Sequence, residues 1–236
     1  LHSFPTLRSS DLSNIAKVKS AIAKAKVEEA ELVVFSELSI CGYPPRDFLE
    51  FDDFIFLCEQ GIDEIAKECN GIAAIIGAPE KNHDPKGKGL YNSAFFLAEG
   101  KVQSVHRKAL LPTYDIFDEY RYFEPGNEFQ VVEFNNNKIA ITVCEDLWNI
   151  GIKQLYKDCP MDHLARQEPD IIINIFDSPF TYDHDKERKI AFKENALKYK
   201  MPIVFVNHVG AQTELIFDGG SFQMSKDGDI VKQLKY

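Results

Sequence analysis

No run in these 236 residues approaches the roughly 20 consecutive apolar positions that a membrane helix needs, so a membrane-spanning role is not expected. Excess positive charge is lacking too. Lys and Arg number 27 against 37 Asp and Glu, giving a formal charge of −10 and a pI near 5.1. Such a surface repels phosphate backbones, which argues against nucleic acid as a partner. The five cysteines (Cys41, Cys58, Cys69, Cys144 and Cys159) are odd in number and form no CxxC pair, so neither a disulfide framework nor a zinc ribbon is expected. The six histidines show no HExxH and no tight cluster, so no metal site is expected. A reducing cytoplasm fits this pattern.

What is present is apolar material, 44% of the chain, enough for one large α/β domain or at most two small ones. The opening "LHSFPTLRSSDL" stands apart. It has no helical or alternating period and no signal-peptide core, and it resembles translated sequencing adapter. Residues 1–12 are therefore expected to be a leader foreign to the fold. From Ser13 the pattern becomes regular. Ile15, Val18, Ile22 and Ala25 mark a helix reaching about Ala30, with Asp11 or Ser13 as its cap.

"ELVVF" (31–35) predicts a short buried strand, and Phe54 to Cys69 a second helix. "IAAIIGAP" (72–79) and "YNSAFFLAEG" (91–100) predict strands, the latter turning at Gly100 into "KVQSVHR". Residues 109–128 form a polar and aromatic loop. "FQVVEF", "NNNK" and "IAITVC" predict a hairpin. Next come a helical stretch near 151–167, a buried strand at 169–176, a charged helix at 184–200 and a strand at 202–210. A terminal hairpin turns at "KDG". Alternating strands and helices predict α/β layers, and the interspersed hairpins argue against a purely parallel sheet. The chain stops in a strand-like segment, as a fragment would.

Three stretches can carry chemistry. In "VFSELSICGYPP" (34–45) a buried strand emits Glu37 at its C-terminal end, where α/β sheets build sites, and Gly42 with Pro44–Pro45 forces a stiff turn. In "HRKALLPTYDIFDEYRYFEPG" (106–126) Lys108 precedes a loop whose Tyr114, Phe117, Tyr120, Tyr122 and Phe123 can wall off an apolar pocket. A nucleic-acid surface is the competing reading of that loop, opposed by Asp115, Asp118, Glu119 and Glu124. In "IAITVCEDLWN" (139–149) Cys144 ends an apolar run, and the acids Glu145 and Asp146 follow it. Neighbouring negative charge disfavours a thiolate. Taken singly, each residue has a plainer reading: a solvated loop acid, a surface lysine, a buried structural thiol.

In combination, an acid, a lysine and a cysteine each at a strand end, with "GYPPRD" (42–47), "LLPTYDIFDEYRYFEPG" (110–126), "VCEDLW" (143–148) and "FDGGS" (217–221), resemble the nitrilase, or carbon–nitrogen hydrolase, superfamily. Within it they are most similar to the glutaminase domains of glutamine-dependent NAD synthetases. The resemblance covers about Ser13 to the end and implies a nitrilase-like α-β-β-α sandwich, lacking its first strand and C-terminal elements. It implies Cys144 as nucleophile, Glu37 as general base and Lys108 as the cation that stabilises the tetrahedral intermediate, with no cofactor for that step. It also implies substrate contacts at Tyr114, Glu145 and Ser178. A basic residue follows for the substrate carboxylate; because "DSPFTYDHDKERK" is longer than in relatives, Lys186 and Arg188 compete for that role, with Lys186 preferred. L-glutamine is the implied substrate. A C-terminal synthetase domain using ATP and Mg, and a homo-oligomer, are the implied partners.

This sequence departs from the family in having Ser36 where a proline usually precedes the base. No SGG-x-D phosphate loop occurs either, and "DGGS" (218–221) reads as a turn inside a hairpin. Two other readings stay open. One is a stand-alone nitrilase-type amidase for another small amide, and the other is a non-catalytic packing domain with a misassembled triad.

Overall fold

In the computed structural model, residues 13–151, 154–212 and 214–235 are described. The chain begins with α1 (Ser13–Val27), whose Val18, Ala21, Ile22 and Ala25 form one buried stripe. Ser13 is itself the first helical residue, and Asp11 lies outside the described residues, as do the 1–12 leader and any strand formed there. The expected elements follow in order: β1 (Leu32–Val34), α2 (Asp52–Glu68), β2 (Ala73–Lys81), β3 (Leu90–Ala98) and β4 (Lys101–Arg107). The aromatic loop contains one helical turn that sequence periodicity does not predict, α3 (Glu119–Tyr122). The hairpin of β5 (Val131–Phe134) and β6 (Asn137–Val143) turns at Asn135 and Asn136. Both have positive φ (49° and 62°), a conformation Asn tolerates better than most residues.

Three expectations change beyond this point. The predicted helix over 151–167 shrinks to α4 (Pro160–Ala165), which starts where Pro160 fits a first turn; Gly151 and Leu155 to Cys159 are not helical. After β7 (Ile171–Phe176) and α5 (His184–Tyr199), the predicted single strand over 202–210 splits into β8 (Ile203–Asn207) and β9 (Val209–Gln212). Asn207 is the cause. Its backbone N–H donates to Ser221 Oγ (3.0 Å), and its side-chain amide donates to Asp218 Oδ1 (3.2 Å) and the Gly219 carbonyl (2.9 Å). The predicted long terminal hairpin therefore divides. β10 (Leu215–Asp218) pairs with β9, whereas β11 (Phe222–Met224) pairs with β8 and with β12 (Ile230–Gln233). Gly219 and Gly220 link the two pairs rather than turning one hairpin.

Of the three sheets among the described residues, two form the layers, one in the order β1-β2-β3-β4 and one in the order β12-β11-β8-β7-β6-β5, each mixing parallel and antiparallel pairs; β9 and β10 make a separate two-stranded sheet. Alternation along β2 sorts the layers. Ala74, Ile76 and Ala78 join the core under α1 and α2, whereas Ala73 and Ile75 join the core shared with the second sheet. Phe192 and Ala196 of α5 and Met161 and Leu164 of α4 complete that second core. The result is an α-β-β-α sandwich whose central strands β2, β3, β6 and β7 are buried on both faces along most of their length, which is why they read as continuous runs, whereas β4 and β12 keep exposed residues. No helix among the described residues is long and apolar enough to cross a membrane.

One close approach positions the first site residue. Glu37 leaves β1 on a turn whose backbone lies against Gly77. A Cβ there would sit 2.3 Å from the Leu38 nitrogen and 2.7 Å from the Glu37 carbonyl carbon. Gly77→Ala is expected to lower stability by about 1–3 kcal/mol through overpacking, read as a lower denaturant midpoint at unchanged m-value.

Candidate active site

Glu37, Lys108 and Cys144 are far apart in the chain and share one buried cluster. Lys108 continues β4 past its last strand residue, with its N–H bonded to the Asn92 carbonyl (2.8 Å) and its carbonyl accepting the Gly126 N–H (2.8 Å). Its ammonium lies 2.8 Å from Glu37 Oε1, and both side chains are fully buried. Cys144 follows β6 at the first position of a 3-10 turn (Cys144–Leu147), with φ of +48°, an unusual value for a residue with a side chain. The strand's alternation therefore stops at Val143. Cys144 Sγ lies within 4.8 Å of a carboxylate oxygen of Glu37 and of a fourth residue, Glu119.

Glu119 is one residue that sequence reasoning does not single out. In the sequence it reads only as one of several acids opposing a nucleic-acid surface. In the structure α3 turns it inward, 2.8 Å from the Lys108 ammonium, where Tyr43 also donates to it at 2.9 Å. Asn92 of β3, also unforeseen, donates to Glu37 Oε1 at 2.7 Å and to Glu119 Oε2 at 3.4 Å. The Asp177 N–H donates to Glu37 Oε2 at 3.2 Å from the end of β7. Glu37, Glu119 and Cys144 together resemble a metal-ligand set, but the cation between the two carboxylates is Lys108.

Charge follows from this packing. Burial by itself lowers the Lys108 pKa, but the Cys144 sulfur, Glu119 and Glu37 reverse that and hold it well above its ordinary value. Burial raises Glu119, and Lys108 offsets part of the rise. Burial and then Glu37 push the Cys144 thiol well up, against the pull of Lys108. Two carboxylates and one ammonium leave no net positive charge to stabilise a resting thiolate.

The other expected residues are placed as follows. The buried Glu145 accepts the Tyr114 hydroxyl at 3.0 and 2.9 Å and the Tyr156 hydroxyl at 3.4 Å, and burial raises its pKa. Tyr156 was not foreseen. Ser178 is fully buried just past β7, its N–H donated to Asn207 Oδ1 at 2.8 Å. Lys186 sits in the first turn of α5, its side chain 80% exposed and 3.8 Å from Asp183. Arg188 is buried and forked onto Asp218 at 3.3 and 2.9 Å. Ser36, at the usual proline position, is buried with its hydroxyl 3.5 Å from the Glu37 carbonyl oxygen. Among the aromatics of the loop, Phe123 is buried, Tyr114 packs edge-on to Phe117 (5.6 Å), and Tyr120 faces solvent beneath Lys88. A cleft of about 330 Å³ borders Tyr43 and Glu119, and Cys144 is not among its lining residues.

Two outcomes test this electrostatic picture. Lys108→Met leaves two buried carboxylates without a counter-ion, and urea unfolding at pH 7 should show a loss of about 3–5 kcal/mol. The loss should shrink toward pH 5, because the raised Glu119 carboxyl is neutralised as pH falls. Iodoacetamide labelling of Cys144 in the free protein should accelerate throughout pH 7–9.5; a plateau reached below pH 7 would mean a resting thiolate instead.

A family model described as carbon-nitrogen hydrolase matches residues 5–236. The glutamine-dependent NAD(+) synthetase of Synechocystis sp. is 33% identical over 225 residues, covering 92% of this chain and 40% of that protein. The corresponding Aquifex aeolicus protein is 34% identical over 215 residues, 88% of this chain and 35% of its own length. The chain thus spans about two-fifths of the curated relatives it matches. Among solved structures, glutamine-dependent NAD+ synthetase from Acinetobacter baumannii in complex with ADP superposes with a TM-score of 0.87 at 32% identity, covering 99% of this chain and 42% of that one. An amidase of the nitrilase superfamily from Nesterenkonia AN1 shares the fold, with a TM-score of 0.81 at 21% identity, covering 99% of this chain and 84% of its own. A two-sheet sandwich of this topology, matched over nearly its whole length, belongs to the carbon–nitrogen hydrolase family.

Proposed function

We propose that this chain is the glutamine-hydrolysing part of a glutamine-dependent NAD synthetase. The supporting observation is the convergence of Glu37, Lys108 and Cys144, distant along the chain, around one buried ammonium. Cys144 is the nucleophile, Glu37 the general base, and Lys108 the oxyanion's cation.

Because the thiol is neutral at rest, its proton leaves as the sulfur attacks. Cys144 adds to the side-chain amide carbon of glutamine while Glu37 takes the thiol proton. The oxyanion is stabilised by Lys108 and by the backbone N–H of Glu145, the residue after the nucleophile in the 3-10 turn. Collapse breaks the C–N bond, and Glu37 returns its proton to the leaving nitrogen, releasing ammonia. Water then gives its proton to Glu37 and attacks the thioester, and the thiol is restored as glutamate departs.

Glu145, buried and oriented by Tyr114, is the anion for the substrate's α-ammonium, and the buried Ser178 supplies a further polar contact. Lys186 is the cation for the α-carboxylate, since Arg188 is already forked onto Asp218. The ammonia serves ATP-dependent amidation of deamido-NAD in a synthetase domain C-terminal to this one. ATP and Mg belong to that domain and not to the glutaminase step. The domain assignment is 13–236, acting within a homo-oligomer in the cytoplasm.

Purified chain should release glutamate from glutamine. Cys144→Ala should abolish the release, and Glu37→Gln should lower kcat by about 10³-fold or more. Glutaminase activity surviving Cys144→Ala refutes the assignment. Preference for an aliphatic amide without the α-amino acid head group, in a substrate panel, would favour a stand-alone amidase.

A further inference from the structure

Lys108 and Cys144 stand on different sheets. The lysine extends β4 of the four-stranded sheet, and the cysteine ends β6 of the six-stranded sheet. The bonds around the Lys108 ammonium do not reach the cysteine's strand. Glu37 follows β1, Asn92 lies in β3, and Glu119 comes from the intervening loop. The link to the nucleophile lies elsewhere. Asp146 is 3% exposed, and its Oδ1 accepts the N–H groups of Ala109 and Leu110, each at 3.0 Å. Its Oδ2 accepts the Val143 N–H at 3.1 Å. Those donors are the two residues after Lys108 and the one before Cys144.

We propose that Asp146 is a positioning residue for the hydrolysis, a clamp that ties the Lys108 segment to the Cys144 turn across the two sheets. It touches no reacting atom. Both oxygens are needed, because N–H donors approach from two sides. The same carboxylate closes the 3-10 turn on the Val143 N–H, and so helps hold Cys144 in its left-handed conformation. An amide of the same shape cannot substitute. Whichever way it turns, its NH2 group meets a backbone N–H, and at least one bond becomes a donor–donor contact.

This inference rests on the glutaminase reading, and its test separates the two. In Asp146→Asn, kcat for glutamine should fall about 100-fold, the effect of a misplacement near 1 Å. KM should stay within about threefold, since Tyr114, Glu145 and Ser178 remain. The pH midpoint of Cys144 alkylation should move up by about one unit, because a displaced Lys108 no longer offsets Glu37 and Glu119. That readout needs no substrate. A wild-type chain inert toward glutamine, with the alkylation shift intact, would remove the glutaminase reading and keep the clamp. Unchanged kcat and unchanged alkylation per folded molecule would overturn the clamp, whatever happens to Tm. If Asp146→Asn does not fold, Ala109→Pro deletes one of the three donors without touching the carboxylate. It should lower kcat about 10-fold and shift the alkylation midpoint in the same direction, and a wild-type profile there would overturn the clamp.

Discussion

One buried ammonium allows this site to exist. Two carboxylates, Glu37 and Glu119, lie in an interior that penalises charge heavily, and each meets the Lys108 Nζ at 2.8 Å. Without it, burial would push the Glu119 carboxyl further toward its neutral form. The lysine needs the acids equally, since burial opposes its own charge. Tyr43 and Asn92 then occupy further lone pairs of the carboxylates. Each group is held in its ionisation state by its neighbours, which makes the cluster rigid and intolerant of single replacements.

The sandwich explains where this cluster can form. Glu37, Lys108, Cys144 and Asp177 all sit just beyond strand ends, three of them past parallel strands, where side chains are released from the ladder yet still surrounded by both sheets. Cross-sheet hydrogen bonds from Asp177 and Asp146 make the two layers a single support. Gly77 contributes by having no side chain, which lets the Glu37 turn lie directly on β2.

Sequence reasoning reached the strands most readily, because segments such as Ala73–Lys81 and Ile171–Phe176 are apolar on both faces. It failed where a polar side chain decides the path. Asn207 ends β8 through bonds to Ser221, Asp218 and Gly219, and no periodicity encodes those partners. The Glu–Lys–Cys trio could be picked out because each member stands next to a strand end and resembles a known family pattern. Glu119 could not. Beside Asp115, Asp118 and Glu124 it looks like one more loop acid, and only the turn of α3 directs it inward. Asn92 is hidden in an apolar strand, and Asp146 reads in the sequence as an added burden on the thiol. Its carboxylate instead faces three backbone N–H groups.

The neutral state of the Cys144 thiol bears on survival as well as on turnover. Hydrogen peroxide attacks thiolates far faster than thiols, so a sulfur kept protonated behind two carboxylates is a poor target for conversion to sulfenic acid. Many low-pKa cysteines trade durability for constant readiness. On the proposed reading the sulfur is activated only as substrate arrives, and the idle Cys144 thiol should oxidise slowly.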